Sequence, residues 1–374
     1  VETTATDILI IGAGFAGAAT AFHLSRMTDQ SIILAEKESL PGFHASGRNA
    51  SLLMQSAENR EIRRLIIAGR AAYAAAGAAA ISPPGSYLLG SREQLEALRE
   101  DRLPSEFRDP QRLRHVIPLL DGHQFESALF TPSDGVVDIA GLLHFYLAGA
   151  RERGARLLTD CRVEAIQTDA GFLITTSVGQ IQARYVINAA GAWAPEIASL
   201  AGAAAMPLTP LKRHLFVLGE LGSIPHDWPF VWNLARNFYF RPESDDLLFS
   251  LCDEQLCASL EPTVEKEISE DLAALIWREL PALANAVLKK VWSCFRTKTP
   301  DGNFLIGWDP ELEGFFWVAG LGGHGMGASW ETGRLAAQVF AGHSHREANP
   351  FDPARFAKRL TAESDRPPRS PLDS

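Results

Sequence analysis

Asp7-Ile8-Leu9-Ile10-Ile11-Gly12-Ala13-Gly14-Phe15-Ala16-Gly17 is the stretch that decides the fold of this chain. Asp7 to Ile11 is a short apolar run of the kind that forms a strand buried on both faces. It runs into a G-x-G-x-x-G turn, and Ala16 to Arg26 then reads as a helix rich in small residues. Ser31 to Ala35 is a second buried strand, so the first 36 residues spell β–turn–α–β. The glycine pattern carries little weight alone, but a strand feeding it and a helix leaving it are the context a dinucleotide needs. Gly12 permits the tight turn, Gly14 lets the backbone approach a pyrophosphate, and Gly17 lets helix and strand pack closely. The helix start at Phe15 and Ala16 offers unpaired N–H groups to the phosphates. Glu36 closes the second strand, 24 residues after Gly12. A carboxylate there accepts hydrogen bonds from ribose hydroxyls and disfavours a 2′-phosphate.

Two more strand-to-glycine turns lie far downstream, at Tyr185 to Gly191 and at Trp317 to Gly325. The second leads into a helix from about Met326 to Phe340, whose N-terminal dipole favours negative charge on a reduced flavin ring. A nicotinamide enzyme usually completes its nucleotide domain in one continuous stretch. This chain returns to that domain at its end, as a long two-part cofactor demands. FAD is the expected cofactor.

At 374 residues the chain exceeds what one core usually serves, so two domains are expected. After a polar loop over Leu40 to Asn59 comes a predicted helix, Arg60 to Ala80. Between Ile81 and Thr131, prolines and short mixed runs break the α/β rhythm. Gly141 to Arg153 reads as a helix, followed by strands at Arg156–Asp160, Val163–Thr168, Phe172–Thr176 and Gln180–Asn188. Leu211–Leu218, Phe238–Arg241 and Leu247–Leu251 read as an antiparallel set, with a helix over Val264–Leu280 crossing it. Phe315–Ala319 is a last buried strand. The reading is α/β: a discontinuous Rossmann-like FAD domain (1–80, 132–206 and 297–363) and an α+β substrate domain on an antiparallel sheet (81–131 and 207–296). Ser364 to Ser374 reads as a loose tail.

A net charge of −10 argues against nucleic acid as a partner. The longest apolar runs, such as Ala71 to Ile81, fall short of the ~20 residues that span a bilayer. The sequence opens on no basic, then apolar, then small-residue leader. Cys161, Cys252, Cys257 and Cys294 form no C-x-x-C pair. A cytoplasmic protein without a metal centre is expected.

The Gly12–Gly17 fingerprint, the segment Pro41-Gly42-Phe43-His44-Ala45-Ser46-Gly47-Arg48-Asn49, the Asn188–Trp193 turn and the Gly320–Gly327 loop together resemble the D-amino acid oxidase family of FAD enzymes. That family includes glycine oxidase, sarcosine oxidase and bacterial D-amino acid dehydrogenases. Phe238-Tyr239-Phe240-Arg241-Pro242 and Phe315-Phe316-Trp317-Val318-Ala319 are most similar to its D-arginine dehydrogenases. The resemblance implies that Ser46, Gly47, Arg48 and Asn49 lie along the pyrophosphate and flavin. It implies that Val163 holds the adenine end, that Ala190 and Gly191 flank the nucleotide, and that Lys37, His44 and Trp193 join the cofactor contacts. Gly322, Gly323, His324, Gly325 and Met326 are expected at the flavin's pyrimidine edge.

The implied substrate is a small amino acid, neutral and D-configured or glycine-like, oxidised to its imino acid. A guanidinium fork suits an amino acid's carboxylate. Arg296 occupies the place where the family keeps its carboxylate-binding arginine, Arg213 stands at the start of a substrate-domain strand, and Tyr239 adds a phenol donor. Where arginine-specific relatives carry a tyrosine and an acid, this chain offers Leu53 and Ser86, which argues against D-arginine. In sarcosine oxidases a cysteine matching Cys294 is bonded to the flavin; here a non-covalent flavin is the first expectation and a link at Cys294 the alternative. O2 or a quinone or carrier would take the electrons. Two other readings stand beside this one: an FAD-dependent 2-hydroxy-acid oxidoreductase, and the flavin subunit of an opine- or glycine-oxidising complex.

Overall fold

The protein is described by a computed structural model, over residues 3–78, 81–82, 85–100, 103–257, 260–342 and 349–357. The strand Thr3–Ile11 runs at the centre of an eight-stranded sheet. Ile32–Ala35 pairs parallel to it on one side and Gly179–Asn188 parallel on the other. Gly12 turns the chain at φ +103, with Ala189 O only 2.5 Å from where a Cβ would stand. At Gly17 a Cβ would lie 1.9 Å from Gly12 O, so no side chain fits between the helix Phe15–Leu24 and the turn.

The far edge of Gly179–Asn188 is shared by two partners. Its first half pairs antiparallel with Phe172–Thr176, and its last residues pair parallel with Phe315–Ala319. Ile11 is in register with Asn188, and Asn188 with Trp317. Three strands therefore end almost level, and their glycine-bearing turns meet at one edge of the sheet.

Alternation along these strands sorts the core into two layers. Ile8, Ile10, Leu34, Ile187, Phe316 and Val318 face the helices Phe15–Leu24, Arg60–Ala76, Ile139–Arg151 and Ser329–Phe340. Leu9, Ile33, Val186, Phe315 and Trp317 face the helix Ala194–Ala201 and the strands around Phe172. Full burial of each such side chain contributes about 1.5–3 kcal/mol.

The second sheet has nine strands, drawn from 86–131 and 209–298. Its longest ladder pairs Thr209–Gly219 antiparallel with Val287–Lys298. The strands from the irregular stretch, Ser86–Gly90, Glu106–Arg108 and Ser127–Thr131, join its other end, and Ser86–Gly90 runs parallel to Phe230–Asn233. Phe216, Leu218, Phe238, Phe240 and Phe249 point to the helix Ile268–Glu279. The residues between them, Leu215, Tyr239 and Leu248, point to the opposite face with Cys294.

Several predicted boundaries shift. The helix expected over Arg60–Ala80 ends at Ala76, stopped by Gly77 in the left-handed region at φ 62. The helix expected from Gly141 begins at Ile139, because the Asp138 side chain caps it by accepting from Gly141 N. The helix expected over Val264–Leu280 spans Ile268–Glu279. The last one begins at Ser329 rather than Met326, leaving a non-helical loop over 320–328. The tail expected over 364–374 lies outside the described residues.

Candidate active site

Where the three turns face the second sheet, an elongated cavity of about 370 Å³ opens. One end is built by the first turn. Ser46 Oγ accepts from Phe15 N at 2.9 Å, tying the Ser46–Asn49 segment over the helix start. The first turn of any helix leaves N–H groups without helical partners, and these face the cavity beside Gly12, Gly14 and Ala16. Glu36 also lines this end, but Oε2 accepts from Ala13 N at 2.9 Å and Oε1 from Glu38 N. The carboxylate thus braces its own turn while keeping lone pairs for a ribose.

Lys37, His44 and Trp193 gather beside it. The Lys37 ammonium lies 3.3 Å from the Trp193 ring centroid, and the His44 ring lies 4.5 Å from it. His44 Nε2 is 2.7 Å from Glu38 Oε1, and its Nδ1 is buried with no protein partner. Burial draws the His44 pKa down against the pull of Glu38. Val163, Ala190, Gly191 and Trp193 line the same end. Asn188 shapes their turn by donating to Ala194 O and accepting from Ala190 N.

The Gly322–Met326 loop forms the cavity's middle. Among the described residues, the amides of Gly323, Gly325, Met326 and Gly327 find no acceptor. Unpaired amides lining a cavity are a site for an anion or a carbonyl-rich ring. His324 sits in this loop, and loss of solvent, followed by the charges of Arg296 and Lys298, lowers its pKa to about 3. Its ring is neutral.

The far end belongs to the second sheet. Leu211 is opposite Arg296 and Arg213 opposite Cys294, so the two arginines lie diagonally on one face of the ladder. Arg213 is anchored: Nη2 donates to Cys252 O and Glu254 Oε1, and Nε donates to Asp253 O. Its remaining Nη1 is buried and has no partner among the described residues. The Arg296 guanidinium makes no ion pair or hydrogen bond among the described residues. Desolvation, then Arg213, lowers its pKa. Tyr239 is fully buried beside both, and burial raises its phenol's pKa, so it remains a donor. Among the described residues, Glu36 and Glu196 are the only acids in the cavity wall, and both lie toward the nucleotide end, away from the arginines.

The structure brings together every expected residue except three. Gly17 lies behind the turn, and Gly47 and Arg48 lie outside the cavity lining. The Arg48 carbonyl accepts from Trp292 Nε1, and its guanidinium rests 4.8 Å from the Phe43 ring centroid. Leu53 and Ser86 are also displaced from the site. Leu53 points into the helix-side core, and Ser86 donates to the buried Asp134. The side-chain end of the cavity is lined instead by Leu52, Met54, Leu215 and Trp232, with Trp232 4.9 Å from the Tyr239 ring. Sequence reasoning missed these four, because apolar strand residues carry no mark of the surface they face.

The four cysteines are free. Among the described residues no His, Cys, Asp and Glu group could hold a metal ion, and no helix is long and apolar enough to cross a membrane.

A family model described as FAD dependent oxidoreductase matches residues 7–339. Human mitochondrial sarcosine dehydrogenase is 25% identical over 391 residues, taking in 95% of this chain and 42% of that protein. Monomeric sarcosine oxidase from Bacillus sp. (strain B-0618) is 24% identical over 367 residues, covering 90% of this chain and 92% of that one. Among solved structures, L-proline dehydrogenase from P. horikoshii shares the fold at TM-score 0.84 and 22% identity, over 96% of this chain and 99% of the other. The chain spans under half the length of the mitochondrial relatives it matches. The cavity-facing helix start, the braced Glu36 and the loop amides unpaired among the described residues fit the two halves of FAD, and the match over 7–339 establishes that this chain belongs to the family of FAD-dependent oxidoreductases.

Proposed function

We propose that the chain oxidises a small neutral amino acid or a glycine-like amine, D-configured where a stereocentre exists, to the corresponding imine. FAD, when bound, accepts the hydride. The observation that carries this reading is Arg296, a guanidinium facing the cavity with no anionic partner among the described residues. A carboxylate is the group whose geometry and charge complete it, at about 1.5–3 kcal/mol per charge-assisted bond. Tyr239 and Arg213 Nη1 stand beside it as further donors. Leu52, Met54, Leu215 and Trp232 offer the rest of the substrate an apolar wall, which has no partner for a cationic side chain.

Two neighbouring cations also disfavour a substrate ammonium, lowering its pKa toward release of the proton to water. A general base is then unnecessary. This separates the amine reading from a 2-hydroxy acid, whose hydroxyl needs a base that His324, with a pKa near 3, supplies poorly. The names of the relatives, enzymes of sarcosine and proline, support an amine. The division into a discontinuous FAD domain and a substrate domain is supported by how the two sheets share out the chain.

Anaerobic bleaching of the flavin tests the reading, across D- and L-amino acids, N-methyl amines, opines and 2-hydroxy acids. Bleaching by one amine class is expected. Bleaching by hydroxy acids alone would overturn it, and D-arginine reacting as fast as neutral substrates would refute the apolar-wall assignment. Repeating turnover with O2 and with a quinone identifies the acceptor; turnover only after a second polypeptide is restored would make the chain a subunit of a larger enzyme.

A further inference from the structure

Beneath the Gly322–Met326 loop lies a cluster of buried hydroxyls that does not reach the cavity. Tyr73, in the helix Arg60–Ala76, is wholly buried, and its Oη lies 2.8 Å from Met326 O and 3.2 Å from Gly327 O. Ser329 Oγ lies 2.8 Å from Tyr73 Oη and donates to Met326 O at 2.8 Å. Trp330 N donates to Tyr73 Oη at 3.3 Å, and the phenol proton is within reach of Met326 O, Gly327 O and Ser329 Oγ. A second buried phenol, Tyr146, reaches Ser329 Oγ at 3.1 Å and touches neither carbonyl.

In a trans peptide the carbonyl and the following N–H point in opposite directions. With Met326 O drawn down toward Tyr73 and Ser329, the Gly327 N–H is turned the other way, toward the cavity that Gly327 lines. Gly325 and Gly327 bracket Met326, and glycine permits rotations that other residues resist. Ser329 N also donates to Met326 O at 3.1 Å, so the two hydroxyls reinforce a carbonyl that one backbone bond already holds. With the hydroxyls gone, the Met326–Gly327 unit is freer to turn its carbonyl to the cavity, exchanging a positive dipole end for a negative one. Reduction brings negative charge to the flavin's pyrimidine edge, so the orientation of this peptide bears on how easily the ring is reduced.

We infer that Tyr73, with Ser329, is a positioning residue that locks the Met326–Gly327 peptide with its N–H toward the flavin and thereby raises the flavin's reduction potential. The inference rests on family membership and not on the proposed substrate. The test compares the two-electron midpoint potential of the purified holoenzyme with those of Tyr73→Phe and Tyr146→Phe. Each variant removes one buried phenol hydroxyl, and both are expected to lower the melting temperature. Tyr73→Phe alone should disfavour reduction, by about tenfold in the equilibrium, which corresponds to about 30 mV. In the apoprotein, hydrogen exchange of the segment 322–328 should accelerate in Tyr73→Phe and stay as in wild type in Tyr146→Phe. Equal losses of stability in the two variants, with the potential and the exchange unmoved, would overturn the inference. Should Tyr73→Phe fail to fold, Ser329→Ala carries the same expectation, because it removes the other hydroxyl that donates to Met326 O; an unmoved potential there is equally fatal.

Discussion

The Arg296 guanidinium lies against the backbone of Gly323, so close that a Cβ added there would stand 2.6 Å from Nη1 and 2.7 Å from Cζ. Gly323 also holds φ +94, a conformation that side chains disfavour. The loop expected to meet the flavin and the arginine expected to meet the substrate therefore form one packed unit. Gly323→Ala should push Arg296 aside and raise KM for the amine about tenfold or more, in line with the loss of a charge-assisted bond. Steady-state kinetics with the best bleaching substrate checks this; an unchanged KM would separate loop from clamp.

Arg296 and Arg213 should respond differently to truncation. The Arg296 guanidinium makes no hydrogen bond or ion pair among the described residues and suffers repulsion from Arg213, so Arg296→Met should leave the apoprotein's melting temperature unchanged or raised. The same variant should lose about 10- to 100-fold in kcat/KM. Arg213 holds Cys252 O, Asp253 O and Glu254 together. Arg213→Met should cost about 1–3 kcal/mol of stability, discounted for the half-exposed Glu254. Paired thermal melts and kinetics settle the contrast, and equal stability losses would refute it.

Burial pushes the Cys294 thiol above its ordinary pKa, against the pull of Arg296 and Arg213. A thiolate is the attacking form of cysteine, so covalent capture of the flavin is disfavoured here. Acid precipitation should leave all the yellow colour in the supernatant. A coloured pellet that turns colourless in Cys294→Ser would show the link instead.

Asp134 is fully buried, accepting from Gln55 N, Gln55 Nε2 and Ser86 Oγ. Burial raises its pKa from 3.8 to about 6. The fold thus prefers the neutral carboxyl, whose contribution is complete below about pH 4 and is lost as pH rises through about 6. The difference corresponds to about 3 kcal/mol at most. Asp134→Asn keeps the acceptor for Gln55 and should not show this loss. Melting curves of the two proteins should diverge in favour of the variant between pH 4 and 7; parallel curves would contradict the assignment.

Much of the nucleotide end was legible in the sequence because its causes are local. A buried strand needs only a short apolar run, Gly12 is required by its own positive φ, and Gly17 by its close contact with Gly12 in the same βαβ unit, although the chain that crowds Gly12 is the distant Ala189 turn. The order of the three glycine turns pointed to FAD before any geometry was known. The substrate end was not legible in this way. Leu52 reaches the cavity while Leu53 enters the core because Leu52 pairs with Val136 and Leu53 with Gly135, and a shift of one residue in that distant pairing would exchange their faces.

Local sequence determined the βαβ start, the glycine turns and the presence of arginines suited to a carboxylate, since strand period and glycine sterics act over a few residues. Tertiary structure alone decided that Arg213 is tethered while the Arg296 guanidinium has no partner among the described residues, that Ser86 serves Asp134 rather than a substrate, and that Tyr73 reaches Met326 from 253 positions away. Hydrogen bonds and charges act through space, so partners so far apart along the chain meet only when packing brings them together.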